Sequence, residues 1–407
     1  MADSHSNKGH HSGQGDVWGD DDGAPIDSDK LGWQSFTPSF ITLVDAIVAA
    51  PPNHELTAGR NGSTDAGSNI YWTYSRDDGL TLVAKPGFMS TATGNGGFIM
   101  TVRPDGAWQL TFDGTDKTIG SEDHDGSPAV PTPPAGNTVV NLDTMNLAAN
   151  LPAYRATFYN ASAGHTTVNG GTGWDTISGG VGDYMIGGSG TLGAGLAGGG
   201  GAAAQGNCAV YSASTASILV DMQNGFGYGG NAEGNVYVNI NQLRGSTGPN
   251  VLIGNSNGTD LKSGGNNSVL ISTGGSGFEM RPDGTGNVLV STVGADRVVF
   301  DSSHGWMLGD SNNIMLGFST AHGDTLDLRA ILTGAIKEVG GQTVTSNFTS
   351  TSDIANYLAI VDRADGDHVM FSATGNVATG GTDILTLSMV HGLTTQSLEA
   401  THSLILV

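Results

Sequence analysis

An all-β fold is predicted for this chain of 407 residues: a parallel β-roll or β-solenoid with nonapeptide repeats, plus a small N-terminal antiparallel β-domain. Three observations predict it. Residues 170–187 hold two nonapeptides in tandem, each opening on glycines and carrying an aliphatic residue at its eighth position. Apolar residues then recur at Leu252, Leu261 and Leu270, and again at Leu289 and Val298, nine residues apart within each set. Between Ile70 and Phe112, short alternating runs broken by turn residues read as antiparallel strands.

The first nonapeptide, Gly170-Gly171-Thr172-Gly173-Trp174-Asp175-Thr176-Ile177-Ser178, fits the pattern G-G-x-G-x-D-x-U-x, with U a large aliphatic residue. Such repeats wind a parallel roll whose turns bind Ca²⁺. The glycines permit backbone angles that a Cβ would forbid, so the chain turns tightly with its carbonyls inward. Asp175 offers a hard oxygen to a hard cation, and Ile177 enters the core from a very short strand. The second unit, Gly179-Gly180-Val181-Gly182-Asp183-Tyr184-Met185-Ile186-Gly187, repeats the frame with its aspartate one place early. Candidate calcium ligands are therefore Asp175 and Asp183, the turn residues Gly171, Gly173, Gly180 and Gly182, and farther on Asp260 and Asp296.

Beyond residue 200 the repeats are eroded. The ligand position holds Asn250 in one unit, Ser268 in another and Glu279 in a third, while Asp296 keeps it. Asn and Asp side chains can replace metal ligands by stacking in hydrogen-bonded ladders, so part of the stack is expected to be held without metal.

The C-terminal segment opens His322-Gly323-Asp324-Thr325-Leu326-Asp327-Leu328-Arg329-Ala330-Ile331-Leu332. A short helix capped by Asp353 is expected next, then a strand at Gly381-Thr382-Asp383-Ile384-Leu385-Thr386-Leu387 and an apolar tail, Ser403-Leu404-Ile405-Leu406-Val407. This order resembles the C-terminal target domain of type I secretion substrates in the RTX (repeats-in-toxin) family. The resemblance covers residues from about 160 to 407. It implies calcium as the bound ion, an uncleaved C-terminal export signal, passage through the type I secretion machinery and an extracellular, or cell-surface-associated, location. Met1-Ala2-Asp3-Ser4-His5 has none of the basic and apolar regions of a secretory leader, in keeping with export from the other end.

Composition agrees. Glycine contributes 65 residues, more than twice the usual share of about 7%. Only 15 Lys and Arg face 38 Asp and Glu, and the net charge of −23 repels nucleic acid and anionic membranes while favouring cations. Cys208 is alone, so no internal disulfide can form. No apolar run reaches the roughly 18 residues that a membrane helix needs.

Five regions follow: a His- and Asp-rich tail at 1–30 that reads as disordered, a β-rich domain at 31–125, a Pro-containing linker at 126–160, the eroded roll at 161–320 and the target domain at 321–407. Within the β-rich domain a helix is expected at 39–48, and Arg103-Pro104-Asp105-Gly106 should turn the chain between two strands. The aromatics Tyr71, Trp72, Tyr74 and Trp108 suit cross-strand core pairs better than a sugar-binding face. The glycine run at 193–206 reads as a linker.

Catalytic motifs are scarce. Gly254-Asn255-Ser256-Asn257-Gly258 matches G-x-S-x-G, but a roll unit follows it where a nucleophile elbow needs a helix. There is no H-E-x-x-H zinc helix and no phosphate-binding G-K-[ST] loop. The sequence leans away from an enzyme. It favours a secreted calcium-binding structural protein that self-associates into a surface layer, matrix or filament. The alternatives are a carbohydrate or cell-surface binder and a secreted glycan-active enzyme.

Overall fold

In the computed structural model, the described residues are 57–58, 70–75, 79–84, 88, 97–103, 108–112, 118–120, 135–141, 156–161, 163–169, 174–186, 207–255, 260–273, 278–300, 311–332, 354–372 and 375–406. Strands dominate them, and helices are few and short. The tail at 1–30, the helix expected at 39–48, the glycine run at 193–206, Ser256 and Asp353 lie outside them.

The chain begins with an antiparallel meander of β1 (Thr57–Ala58), β2 (Ile70–Ser75), β3 (Gly79–Ala84), β4 (Phe98–Val102), β5 (Trp108–Phe112) and β6 (Thr118–Gly120), paired in sequence order. Val102 pairs with Trp108 across the connection where the Pro-Asp-Gly turn is expected.

Two further sheets then take successive strands almost alternately. The nine-stranded sheet holds β8 (Ala156–Asn160), β10 (Trp174–Ser178), β12 (Cys208–Val210), β16 (Gln242–Arg244), β18 (Asp260–Lys262), β20 (Phe278–Arg281), β22 (Asp296–Val299), β24 (Thr325–Asp327) and β28 (Leu404–Ile405). Every pairing within it is parallel. The thirteen-stranded sheet holds β7 (Thr138–Asn141), β9 (Thr166–Asn169), β11 (Tyr184–Ile186), β13 (Ile218–Asp221), β17 (Asn250–Ile253), β19 (Val269–Ile271), β21 (Val288–Val290), β23 (Asn313–Leu316) and β27 (Thr382–Ser388). An antiparallel pair, β14 (Phe226–Tyr228) and β15 (Val236–Val238), is inserted between β13 and β11, and β25 (Leu358–Arg363) and β26 (Gly366–Phe371) extend the far end.

The nine-residue beat is the reason for the alternation. Leu252, Leu270 and Leu289 stand in register in one sheet, Leu261 and Val298 belong to the other, and all five are fully buried. Each side chain therefore meets its own kind two nonapeptides later, and one apolar cluster runs between the sheets from Val168 and Ile177 to Leu398 and Leu404.

The other face of the thirteen-stranded sheet is apolar too. Val251, Ile253, Val269, Ile271, Val288 and Val290 pack against Leu82, Phe98, Met100, Leu110 and Phe112 of the meander. The Phe112 and Tyr228 rings lie 5.0 Å apart between centroids, and Trp108 Nε1 donates to Gln223 Oε1 at 3.0 Å. The meander is thus a third layer seated on the sheet. Trp108 belongs to that interface and not to a sugar-binding surface; the side chains of Tyr71, Trp72 and Tyr74 lie outside the description.

At the C-terminal end, residues 354–357 form a turn leading into β25 where a helix was expected, with Ile354 O accepting from both Tyr357 N and Leu358 N. The expected strand is present as β27, and two short helices flank it, α1 (Val377–Gly380) and α2 (Thr395–Ala400). A Thr394–Ser397 capping box starts α2, which places Leu398 in the core, and the apolar tail pairs with β24 as β28. No helix among the described residues is long and apolar enough to cross a membrane.

Leu270 is fully buried between layers. Leu270→Ala should cost about 2–5 kcal/mol of stability, read as a lower urea midpoint at unchanged slope.

Candidate functional site

Where several strands of the thirteen-stranded sheet begin, a buried polar side chain replaces the apolar repeat. Thr166 N donates to Asp183 Oδ1 at 2.9 Å, and Asp183 N to Asn235 Oδ1 at 2.8 Å. Farther along, Asn250 N donates to Ser268 Oγ at 3.0 Å, Ser268 N to Asn287 Oδ1 at 2.9 Å and Asn287 N to Asn313 Oδ1 at 2.9 Å. Each backbone donor is met by a side-chain oxygen one repeat farther on. Asn250 is surrounded by partners: its Nδ2, with two protons to share, lies 3.0, 2.8 and 2.7 Å from Ser246 O, Gly248 O and Ser263 O, and its Oδ1 accepts from Ser246 Oγ at 2.6 Å.

The residues expected to hold calcium meet different fates. Gly171 and Gly173 lie outside the described residues; Asp175 is placed in β10, in register with Thr157, with its side chain outside the description. Asp183 is buried, and Gly180 N donates to its Oδ2 at 2.7 Å, so both oxygens already accept backbone N–H groups. Gly180 therefore turns a donor, not a carbonyl, toward this carboxylate. Gly182 has φ 70°, and a Cβ there would press on the His165 ring at 2.7 Å. Asp260 faces a guanidinium, with Arg281 Nε at 2.9 Å. Asp183 and Asp260 thus each have partners within the protein.

Asp296 differs. It is buried, its Oδ2 accepts from Ser272 Oγ at 2.6 Å, and its Oδ1 has no hydrogen-bond partner. Asp324, one strand farther along the nine-stranded sheet, stands at the equivalent place before β24; its Oδ1 accepts from Asp296 N at 2.9 Å, and its Oδ2 from Ser319 N at 2.8 Å and Ser291 Oγ at 3.2 Å. The Ser291 hydroxyl lies against both carboxylates but has a single proton to give. Burial, with the neighbouring Asp324 adding to it, pushes the Asp296 carboxyl up to about 7; burial likewise raises that of Asp324. Two buried carboxyls, one with an orphaned oxygen, fit a hard divalent cation. Asp324 was not among the expected ligands, although Gly323-Asp324-Thr325-Leu326 carries the same signal as Ala295-Asp296-Arg297-Val298.

Positions of the nine-stranded sheet that alternate with its core residues form a largely buried ion-pair chain. Glu279 lies 2.5 Å from Arg281 Nη2 and 3.1 Å from Arg297 Nη1; Arg297 also pairs with Asp327, which Arg329 holds at 2.6 Å. Among the described residues, no group of three or more His, Cys, Asp or Glu is arranged to hold a metal ion. The sequence matches no family model and no curated protein.

Asn250→Ala should leave several buried backbone groups unpaired, at about 1–3 kcal/mol for each, and appear as a lowered melting temperature. Asp221 gives a pH test away from Asp296. Burial raises its carboxyl to about 6 against the stabilising bonds from Asn224 N and Nδ2 at 2.9 and 2.7 Å. A carboxyl raised above its unfolded value of about 3.9 favours the fold at low pH. Its contribution, on the order of 3 kcal/mol at 1.36 kcal/mol per pKa unit, is complete below about pH 4 and gone above about pH 6. Urea midpoints between pH 4 and 7.5 should fall more steeply for wild type than for Asp221→Asn.

Proposed function

We infer that this is a calcium-binding, exported structural protein: a β-solenoid whose last coils are locked by Ca²⁺ and whose stacked strands support self-association outside the cell. The observation that carries the reading is the orphaned, buried Oδ1 of Asp296 beside Asp324. In water-poor surroundings such a pair needs either a proton or a cation, and at neutral pH a divalent ion is the better match. Asp296 and Asp324 would hold it, and Ser272 and Ser291 would orient them. The residues around Asp175 are a second candidate, resting on the Gly-Gly-x-Gly-x-Asp pattern alone.

Self-association is supported by the end of the thirteen-stranded sheet. There β7 is an edge strand, and Val139 stands 62% exposed on it. Edge strands carry unpaired backbone groups that invite a further chain. Export is supported by the likeness of the C-terminal segment to type I targets and by the acidic composition. Calcium at millimolar levels over a micromolar site would stabilise the fold by about 4 kcal/mol.

Calcium titration followed by circular dichroism and calorimetry tests the reading. Wild type should bind and gain thermal stability, and Asp296→Asn should raise the calcium midpoint about tenfold or more by removing a charge from the shell. Equal midpoints would sink the assignment of the ion. Electron microscopy with and without calcium then tests assembly, and a protein that stays monomeric under both conditions speaks against the structural role.

A further inference from the structure

The thirteen-stranded sheet ends in two strands that, among the described residues, have a neighbour on one side each: β9 for β7 and β26 for β25. An open strand edge offers its backbone donors and acceptors to another strand. Both edges belong to one sheet of one chain, so a second copy of the chain can bring the partner for either.

Direction is the first requirement of such a pairing, and the two edges meet it. β7, β9, β11 and β15 pair in parallel, and two antiparallel steps through β14 restore the same direction at β13. Parallel pairing continues through β17, β19, β21 and β23 to β27, and two more antiparallel steps through β26 restore it at β25. β7 and β25 therefore run the same way. A copy displaced along the stack lays its β7 beside β25 as a parallel neighbour.

The faces agree as well. Val139 is in register with Thr167 and Tyr184, which alternate with the core residues Val168 and Met185. Val361 is in register with His368 and Thr386, which alternate with the core residues Val369 and Leu385. Both valines thus belong to the face turned away from the inter-sheet core. Both are exposed, Val139 by 62% and Val361 by 39%.

Hydrogen-bond phase is the third requirement. Thr138 N donates to His165 O at 3.0 Å, so Thr138 turns its backbone groups toward β9 and Val139 turns its own to the open edge. Asp367 N donates to Val390 O at 2.7 Å, away from β25. Its cross-strand partner Asp362 accordingly presents its backbone groups to the open side, as does Ile360 two residues before it. In a parallel ladder a residue bonds to the two that flank its opposite number. Val139 set opposite Val361 would donate to Ile360 O and accept from Asp362 N, with both valine side chains on one face.

We propose that copies of this chain join head to tail through β7 of one and β25 of the next, with Val139 opposite Val361. The contact is heterologous, and repeated by displacement along the stack it leaves a free edge at each end and grows without closing. This inference rests on the self-association in the proposed function and not on the calcium site.

Sedimentation velocity of the full chain over a range of concentrations, in millimolar calcium, tests it. Val139→Pro and Asp362→Pro each remove one open-edge N–H and no ladder bond within the chain. Wild type should form polymers that lengthen with concentration. Each variant alone should lose every species above the monomer, because all its copies have the same end blocked. An equal mixture of the two should give dimers and nothing larger. Circular dichroism verifies that the variants fold. Where a proline variant unfolds, Val139→Lys and Val361→Lys put a charge on the same edges with the backbone intact and should give the same pattern. Dimers of Asp362→Pro alone would mean that β7 pairs with β7 about a two-fold axis, and would overturn the head-to-tail contact. Polymers persisting in both variants would overturn the contact but leave self-association standing, whereas a wild type monomeric at every concentration would overturn both.

Discussion

Everything in the stack depends on one requirement: where a strand begins inside the protein, its backbone N–H must find an acceptor that is not on its own strand. The side chains of Asp183, Asn235, Ser268, Asn287 and Asn313 supply that acceptor one repeat along. A slip of one residue would exchange the two faces of each strand, breaking the Leu252–Leu270–Leu289 row, and orphan these donors together. Polar and apolar groups thus specify the same register, and this agreement separates a unique stack from a merely sticky pair of sheets.

The two sheets solve their outer faces differently. In the thirteen-stranded sheet the strands read Val251-Leu252-Ile253, Val269-Leu270-Ile271 and Val288-Leu289-Val290, apolar on both faces, and the meander covers the outer one. In the nine-stranded sheet they read Asp260-Leu261-Lys262 and Glu279-Met280-Arg281, apolar only toward the core. Of 15 basic residues in the chain, Arg244, Lys262, Arg281, Arg297 and Arg329 gather in or beside these strands. Arg281, Arg297 and Arg329 pair with Asp260, Glu279 and Asp327, and Lys262 with Asp283, which offsets the acidic charge there. Such pairs contribute modestly to net stability and more to register, because breaking one leaves a poorly solvated charge behind.

The core was legible because periodicity reports directly on which side chains face one another. Leu252, Leu261 and Leu270 mark alternate sheets by their nine-residue spacing, and the structure places them so. The eroded positions were legible in kind, since an Asn or Ser in place of a ligand already suggests a ladder. The seat of the meander was written in the sequence as well, in triplets with no polar residue, but periodicity within a strand does not name the segment that covers its outer face. Asp324 was missed because the connection after β22 lengthens the interval from Asp296 to 28 residues, hiding an equivalence that the sheet register makes plain. The turn at 354–357 replaces an expected helix because Leu358 and the following residues are drawn into antiparallel pairing with β26, and that tertiary pairing outweighs local helix signals.

Four aspartates at or near the repeat's ligand position therefore have distinct partners. Asp183 is satisfied by backbone donors, Asp260 by an arginine, Asp324 by serines and the amide of Asp296, and Asp296 keeps one oxygen unspent. Erosion of the repeat has not removed polar groups from the corners; it has exchanged what satisfies them. Among these four the unmet demand is at β22, whose neighbour β24 is also the strand that pairs with β28 from the end of the chain. That closure joins residues nearly eighty positions apart, Leu326 and Leu404, and carries the entropy cost of a long loop. A cation bound at Asp296 and Asp324 would hold β24 in place before β28 arrives, so the ion proposed for that buried charge would also favour one of the long-range closures of the fold.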